Sequence, residues 1–169
     1  MTAERQIVSV TESTFEEILN RDGVLVYRTS GISMEPMLRQ GRDLVTIRAA
    51  KPGERFCEND VVLYYHAVGR KHALHRIVGV EPTGYIILGD NCISYEYDVP
   101  FDDVLGVLVS FVRNGKSYLV DDPVYLDYVK KLRRDERGRI ARRRAVMRIK
   151  GTIKRVFPGL VKFWKHRGR

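Results

Sequence analysis

Between Val24 and Val120 turn-forming residues cut the chain into short β-rich runs, and this pattern limits its possible folds more than any other feature. The runs are VLVYRT (24–29), DLVTIRAA (43–50), DVVLYYHA (60–67), ALHRIVGV (73–80), YIILGD (85–90) and VLGVLVSFV (104–112). Their β-branched and aromatic side chains suit a pleated surface. Lys51-Pro52-Gly53 and Pro82-Thr83-Gly84 break the pattern, and Asn114-Gly115 stands between LVSFVR and KSYLV as a two-residue hairpin signal. Six or seven short strands with tight turns predict a mainly β fold: a compact, mostly antiparallel domain over residues 24–120.

Helical spacing flanks this domain. Ser13 and Glu16 have capping-box spacing, Phe15, Ile18 and Leu19 form an apolar stripe, and Gly23 supplies a stop. After Asp121-Asp122, Pro123 suits a first helical turn, and Val124, Tyr125, Tyr128, Val129 and Leu132 share one face. Arginine dominates 133–148, and the last segment sets Ile153, Val156, Phe157, Leu160, Phe163 and Trp164 at spacings of three and four. Pro158-Gly159 is expected to bend that helix. The expected division is a domain over 1–122 followed by a basic helical tail over 123–169.

Charge follows the same division. The formal net charge of +9 on 169 residues combines two opposite balances. Residues 1–129 carry 13 basic and 19 acidic side chains, a net of −6; residues 130–169 carry 17 basic side chains against Asp135 and Glu136, a net of +15. A mildly acidic body with a strongly basic tail points to a polyanion near the tail, either nucleic acid or an anionic membrane face. No stretch without Asp, Glu, Lys or Arg exceeds nine residues, the longest being Val61–Gly69 and Val104–Val112. A spanning helix needs about 20 apolar residues, so none is expected. The N-terminus shows no apolar run of a secretory leader, and a cytoplasmic or peripheral membrane location is the expectation. Cys57 and Cys92 are too few for a disulfide framework and lack metal-site spacing, so reduced thiols, no metal and no cofactor are expected.

Three strings carry groups with chemistry. In Ser30-Gly31-Ile32-Ser33-Met34-Glu35-Pro36 a serine follows a strand in a Gly-containing turn. There a hydroxyl can stand exposed beside backbone N–H groups able to bind an oxyanion. Equally, such a serine can merely bond its own backbone. Leu74-His75-Arg76-Ile77 places a histidine within a strand, and histidine suits proton transfer near neutral pH. His66 and His72 compete for that role, although His72 is an odd number of residues from His75 and faces the other way in a regular strand. Leu88-Gly89-Asp90-Asn91 ends the next strand with a carboxylate, and Glu96 and Asp98 follow in what reads as a loop.

Taken in order, Ser33-Met34-x-Pro36, the strand led by Asp43, Asp60-Val61-Val62, His75-Arg76-Ile77-Val78 and Gly89-Asp90-Asn91 resemble the type I signal peptidases. That group shares its fold with self-cleaving repressors, so the resemblance, covering residues 24–112, implies a signal peptidase/LexA-like domain. It implies a serine endopeptidase acting on a signal or leader peptide or a precursor protein, with Ser33 as nucleophile. Most bacterial members have lysine at the base position; archaeal and endoplasmic-reticulum members have histidine then arginine, which His75-Arg76 matches. In that subtype an acidic residue in or after the Gly-Asp-Asn motif completes the site. Asp90 matches the first position, and Glu96 stands where the pattern has aspartate, with Asp98 as a rival.

On this resemblance His75 takes the Ser33 proton, an acyl-enzyme forms, and water releases it. Asp90 or Glu96 would hold the imidazole. Many relatives have a serine two residues before the nucleophile; Gly31 stands there, leaving Ser30 or a backbone N–H as second oxyanion donor. Met34, Met37 and Val62 would line the cleft, or simply pack the core. The family is anchored by apolar helices, which this sequence lacks, and the basic stretch over 150–167 resembles a helix lying on an anionic membrane surface. A solvated charged tail is the alternative, and no recognition motif favours nucleic acid. The other classes are a self-cleaving regulator, disfavoured by the 32 residues before Ser33 and the absence of a lysine base, and a non-catalytic peptide-binding module.

Overall fold

A computed structural model describes residues 13–66, 69 and 71–156. Helix α1 (Ser13–Asp22) ends where the Gly23 N–H returns to the Leu19 carbonyl at 2.9 Å. The strands are β1 (Val24–Arg28), β2 (Leu44–Ala49), β3 (Val61–His66), β4 (Lys71–Val80), β5 (Tyr85–Leu88), β6 (Glu96–Val99), β7 (Val104–Arg113) and β8 (Lys116–Leu119). Helices α2 (Pro123–Arg134) and α3 (Glu136–Val156) follow. The fold is mainly β and antiparallel throughout, in the order β1-β2-β7-β3-β4-β5-β6, with β8 paired to β7. Among the described residues no helix is long and apolar enough to cross a membrane.

Both faces of the sheet are covered, and β3 shows how. Val61 and Leu63 join one core with Leu25, Ile47, Leu108 and Phe111, whereas Val62 and Tyr64 join a second with Ile77, Tyr85 and Ile87. Period-2 alternation sends successive side chains to opposite faces, and a strand buried on both reads as a continuous apolar run. On β4, paired so that Val62 opposes His75 and Leu63 opposes Leu74, the same alternation separates His75 from Arg76.

Two expectations need correction. The Glu96 region is strand β6, paired to β5 through Tyr85↔Val99 and Ile87↔Glu96, not loop. Four residues reading Glu-Tyr-Asp-Val, with Asp98 at φ 53°, carry too little apolar alternation to announce a strand. The domain also extends past residue 122. Tyr125 and Val129 of α2 are buried in the first core, and the chain divides into compact units after Lys131, with Leu132 opening the second. Val124 of the expected apolar stripe is 64 % exposed. Neither cysteine forms a disulfide. The tail stripe lies outside the described residues over 157–164, as do Pro158-Gly159 and the side chains of 153–156.

Candidate active site

The serine turn leaves β1 and returns to β2 through a loop tied at its base by Asp43. That buried carboxylate accepts from the Arg39 N–H (2.8 Å) and from Arg42 Nε and Nη2 (2.6 and 2.8 Å). Burial works against its charge, but these bonds hold its carboxyl below the usual carboxylate range. Gly31 sits at φ 84°, a conformation L side chains rarely adopt, and the Glu35–Pro36 peptide is cis. Ser33 is half-buried. Among the described residues its hydroxyl and backbone N–H make no hydrogen bond, while its carbonyl accepts from the Asn91 N–H at 2.7 Å.

Asn91 stitches two loops together, because its Nδ2 also donates to the Ile32 carbonyl at 2.8 Å. Gly89, two residues earlier, permits the close approach. A Cβ at that position would lie 2.9 Å from the Ser33 carbonyl oxygen, 3.0 Å from His75 Cδ2 and 2.7 Å from Cys92 Sγ. The carbon next to His75 Nε2 therefore shares one small neighbourhood with the Ser33 backbone.

The other side of the imidazole is occupied. His75 Nδ1 lies 3.1 Å from Glu96 Oε1 and 3.0 Å from the Tyr64 hydroxyl, which donates to Glu96 Oε2 at 2.7 Å. His66 Nε2 adds a third group to that carboxylate at 3.0 Å from Oε2. An ionised carboxylate only accepts, so Nδ1 carries a hydrogen, and in the neutral ring the lone pair falls to Nε2. Burial works to raise the Glu96 carboxyl, yet the bonds from His75 and Tyr64 outweigh it and hold the group below its ordinary value. Burial, and then Glu96 beside it, push the Tyr64 hydroxyl well up, so it stays a donor. The arrangement fixes one imidazole nitrogen and leaves the other outside that hydrogen-bond network, the geometry that proton transfer would require.

Asp90 has different partners. Its carboxylate takes a two-pronged contact from Arg76, Nε to Oδ1 at 2.9 Å and Nη2 to Oδ2 at 2.8 Å, and a bond from the Tyr128 hydroxyl at 3.0 Å. Arg76 and Asp90 are 1 % and 2 % exposed. Burial alone would lower the Arg76 guanidinium, but the Asp90 charge raises it above its ordinary value. Asp98 is exposed. Of the three carboxylates weighed from sequence, Glu96 is the one bonded to His75.

Further residues fall into place around this pair. His72 faces the other way, as alternation requires, with Nε2 3.3 Å from Glu16 Oε1. A pocket of about 70 Å³ opens beside Ser33, lined by Tyr27, Met34, Leu38, Leu63, His72 and Leu74. Met34 thus borders it, whereas Val62 packs in the second core and Met37 in the first. Tyr64 was missed as a site residue and His66 was weighed only as a rival base, although their i, i+2 spacing puts both on the face of Val62, the cross-strand partner of His75. Among the described residues no cluster of His, Cys, Asp and Glu could hold a metal ion. No family model and no curated protein matches the chain.

Proposed function

We propose that this chain is a serine endopeptidase of signal peptidase-like architecture, with Ser33 as nucleophile and His75 as general base, acting on a signal or leader peptide or a precursor protein. One observation carries the reading. Glu96 holds His75 Nδ1 at 3.1 Å, which leaves Nε2 as the basic nitrogen of a ring whose Cδ2 edge turns to Gly89 and the Ser33 loop.

The chemistry follows from those groups. Ser33 Oγ attacks the carbonyl carbon of the scissile bond while its proton passes to His75 Nε2. Glu96 stabilises the imidazolium that forms, and Tyr64 and His66 hold Glu96 in place. His75 then delivers the proton to the leaving amine, giving an acyl-enzyme and a free new N-terminus. Water, deprotonated by the same nitrogen, cleaves the ester and regenerates Ser33. The unengaged Ser33 N–H supplies one oxyanion donor, and the adjoining pocket receives a substrate side chain. Apo sites commonly show the nucleophile–base bond unmade until substrate closes it, which accommodates the unbonded Ser33 hydroxyl.

Ser33→Ala and His75→Ala, assayed separately on a small-residue leader peptide, test this. Each is expected to lower kcat by about 10³-fold or more, with Ser33→Ala also abolishing labelling by a fluorophosphonate. Cleavage by both variants at the parental rate would remove the assignment.

For α3 the partner we propose is an anionic membrane surface. The helix carries nine basic side chains against Glu136 alone, with Val146, Met147 and Ile149 exposed among them. Each basic side chain near such a surface contributes about 1 kcal/mol, and exposed apolar groups add insertion. Co-sedimentation with anionic but not neutral vesicles, weakened by salt, is the expected result.

A further inference from the structure

Helix α2 starts at a fixed point. Asp122 Oδ1 accepts from the Val124 N–H at 2.8 Å and Pro123 occupies the first turn, so the phase of the helix is set before it reaches the sheet. That phase buries Tyr125 and Val129 and half-buries Tyr128. Both tyrosine hydroxyls reach the same ion pair. Arg76 Nη1 donates to the Tyr125 oxygen at 3.0 Å, and the Tyr128 hydroxyl donates to Asp90 Oδ2 at 3.0 Å.

The ion pair touches both halves of the candidate site through the backbone. Arg76 follows His75 on β4. Asp90 lies between Gly89, which packs on the His75 ring and the Ser33 carbonyl, and Asn91, which bonds the Ser33 and Ile32 carbonyls. Replacing a buried ion pair by apolar groups is often neutral for stability, so its presence argues for fixing geometry. Here it joins the histidine strand, the turn that holds the serine loop, and one helix.

We propose that α2 is a strap on the site: through Tyr128 and Tyr125 it fixes the Arg76–Asp90 pair and thereby the separation of the Ser33 loop from His75. Tyr128 is then a positioning residue, acting through Asp90 without touching substrate. The activity consequence rests on the peptidase reading; the mechanical consequence does not.

The experiment compares the full-length parent with Tyr128→Phe, Asp90→Asn, their double variant, and Leu126→Gln as a control on the exposed side of α2. Amide hydrogen exchange is followed over 30–38 and 89–92 against the β1–β2 hairpin. Tyr128→Phe keeps the ring and removes one donor, so about tenfold faster exchange is expected in both loops, with β1–β2 unchanged. On a cleaved peptide, kcat is expected to fall about tenfold at unchanged KM, and the double variant to fall no further than Asp90→Asn. Leu126→Gln should match the parent throughout. Should the parent cleave nothing while Tyr128→Phe loosens both loops, the strap stands and the peptidase assignment fails. Parental exchange in Tyr128→Phe, whatever the activity, overturns the strap, as does loosening spread equally over β1–β2. Where Asp90→Asn fails to fold, Tyr128→Phe and Tyr125→Phe decide the matter alone.

Discussion

His75 and Arg76 are consecutive on β4 yet serve opposite faces of the sheet: His75 Nδ1 meets Glu96 Oε1 at 3.1 Å, while Arg76 Nη2 meets Asp90 Oδ2 at 2.8 Å. One carboxylate therefore orients an imidazole that stands 12 % exposed, and the other neutralises a sealed guanidinium. Their substitutions should differ in emphasis, with the larger loss of rate at Glu96 and the larger loss of stability at Asp90.

On the proposed mechanism, Glu96→Gln removes the charge that would stabilise an imidazolium, and it disturbs the Nδ1–H contact. Peptide-cleavage kinetics should show kcat reduced by about 10² to 10⁴-fold with a melting temperature near the parent's. Asp90→Asn leaves Arg76 buried beside a neutral amide, and denaturant titration should show a loss of about 3 to 5 kcal/mol. Equal kinetic losses in the two variants, at equal stability, would contradict the division of roles.

Acid should unfold the protein partly through two carboxylates. Glu54 is held down to about 2, chiefly by Arg48 and also by the Lys51 N–H. Glu96 is also below its ordinary value, where bonds from His75 and Tyr64 overcome burial. A carboxylate more acidic folded than unfolded stabilises the native state in full above the unfolded value, about 4.3, and loses that contribution as pH falls through the folded one. Stability measured by urea titration should therefore drop between about pH 4.3 and about 2. Glu54→Gln should flatten that slope, and an unchanged slope would remove Glu54 from the account. Because Glu54 is partly solvated, its share should be small.

Gly89→Ala should injure both halves of the site. The added carbon would meet the Ser33 carbonyl, the His75 ring and Cys92 Sγ, each within 3.0 Å. Overpacking of this kind costs about 1 to 3 kcal/mol, and the displaced ring should lower kcat more than KM rises. A parental melting curve with parental kinetics would show that the loops part without consequence.

Tyr64→Phe removes the hydroxyl that donates to Glu96 Oε2. The loss should be about 1 kcal/mol in thermal unfolding and about tenfold in kcat, smaller than for Glu96→Gln because His66 still reaches the carboxylate. A Tyr64→Phe rate below that of Glu96→Gln would assign Tyr64 a larger part.

The strands were legible because their runs are bounded by Pro, Gly and Asn and several are buried on both faces. β6 was not, since Glu96 and Asp98 mask the alternation that Val99 completes. The serine turn and the histidine strand could be picked out by residue type and order. Their meeting could not, because it depends on the absence of a side chain at Gly89 and on Asn91 bonding a carbonyl 58 positions earlier. The choice between Asp90 and Glu96 was likewise a tertiary matter, settled by which face of β4 each carboxylate meets. Arg76 looks like a solvated charge in a strand; only its packing against Asp90 and Tyr125 makes it a buried one.

The division of β3 between two cores bears on how the molecule melts. Two separate apolar clusters in one sheet invite two independent transitions. Val61 and Leu63 belong to one, however, and Val62 and Tyr64 to the other, so neither cluster can lose this strand without uncovering side chains of the other. Heat should therefore disassemble the body in a single calorimetric step, with van't Hoff and calorimetric enthalpies equal for residues up to Lys131.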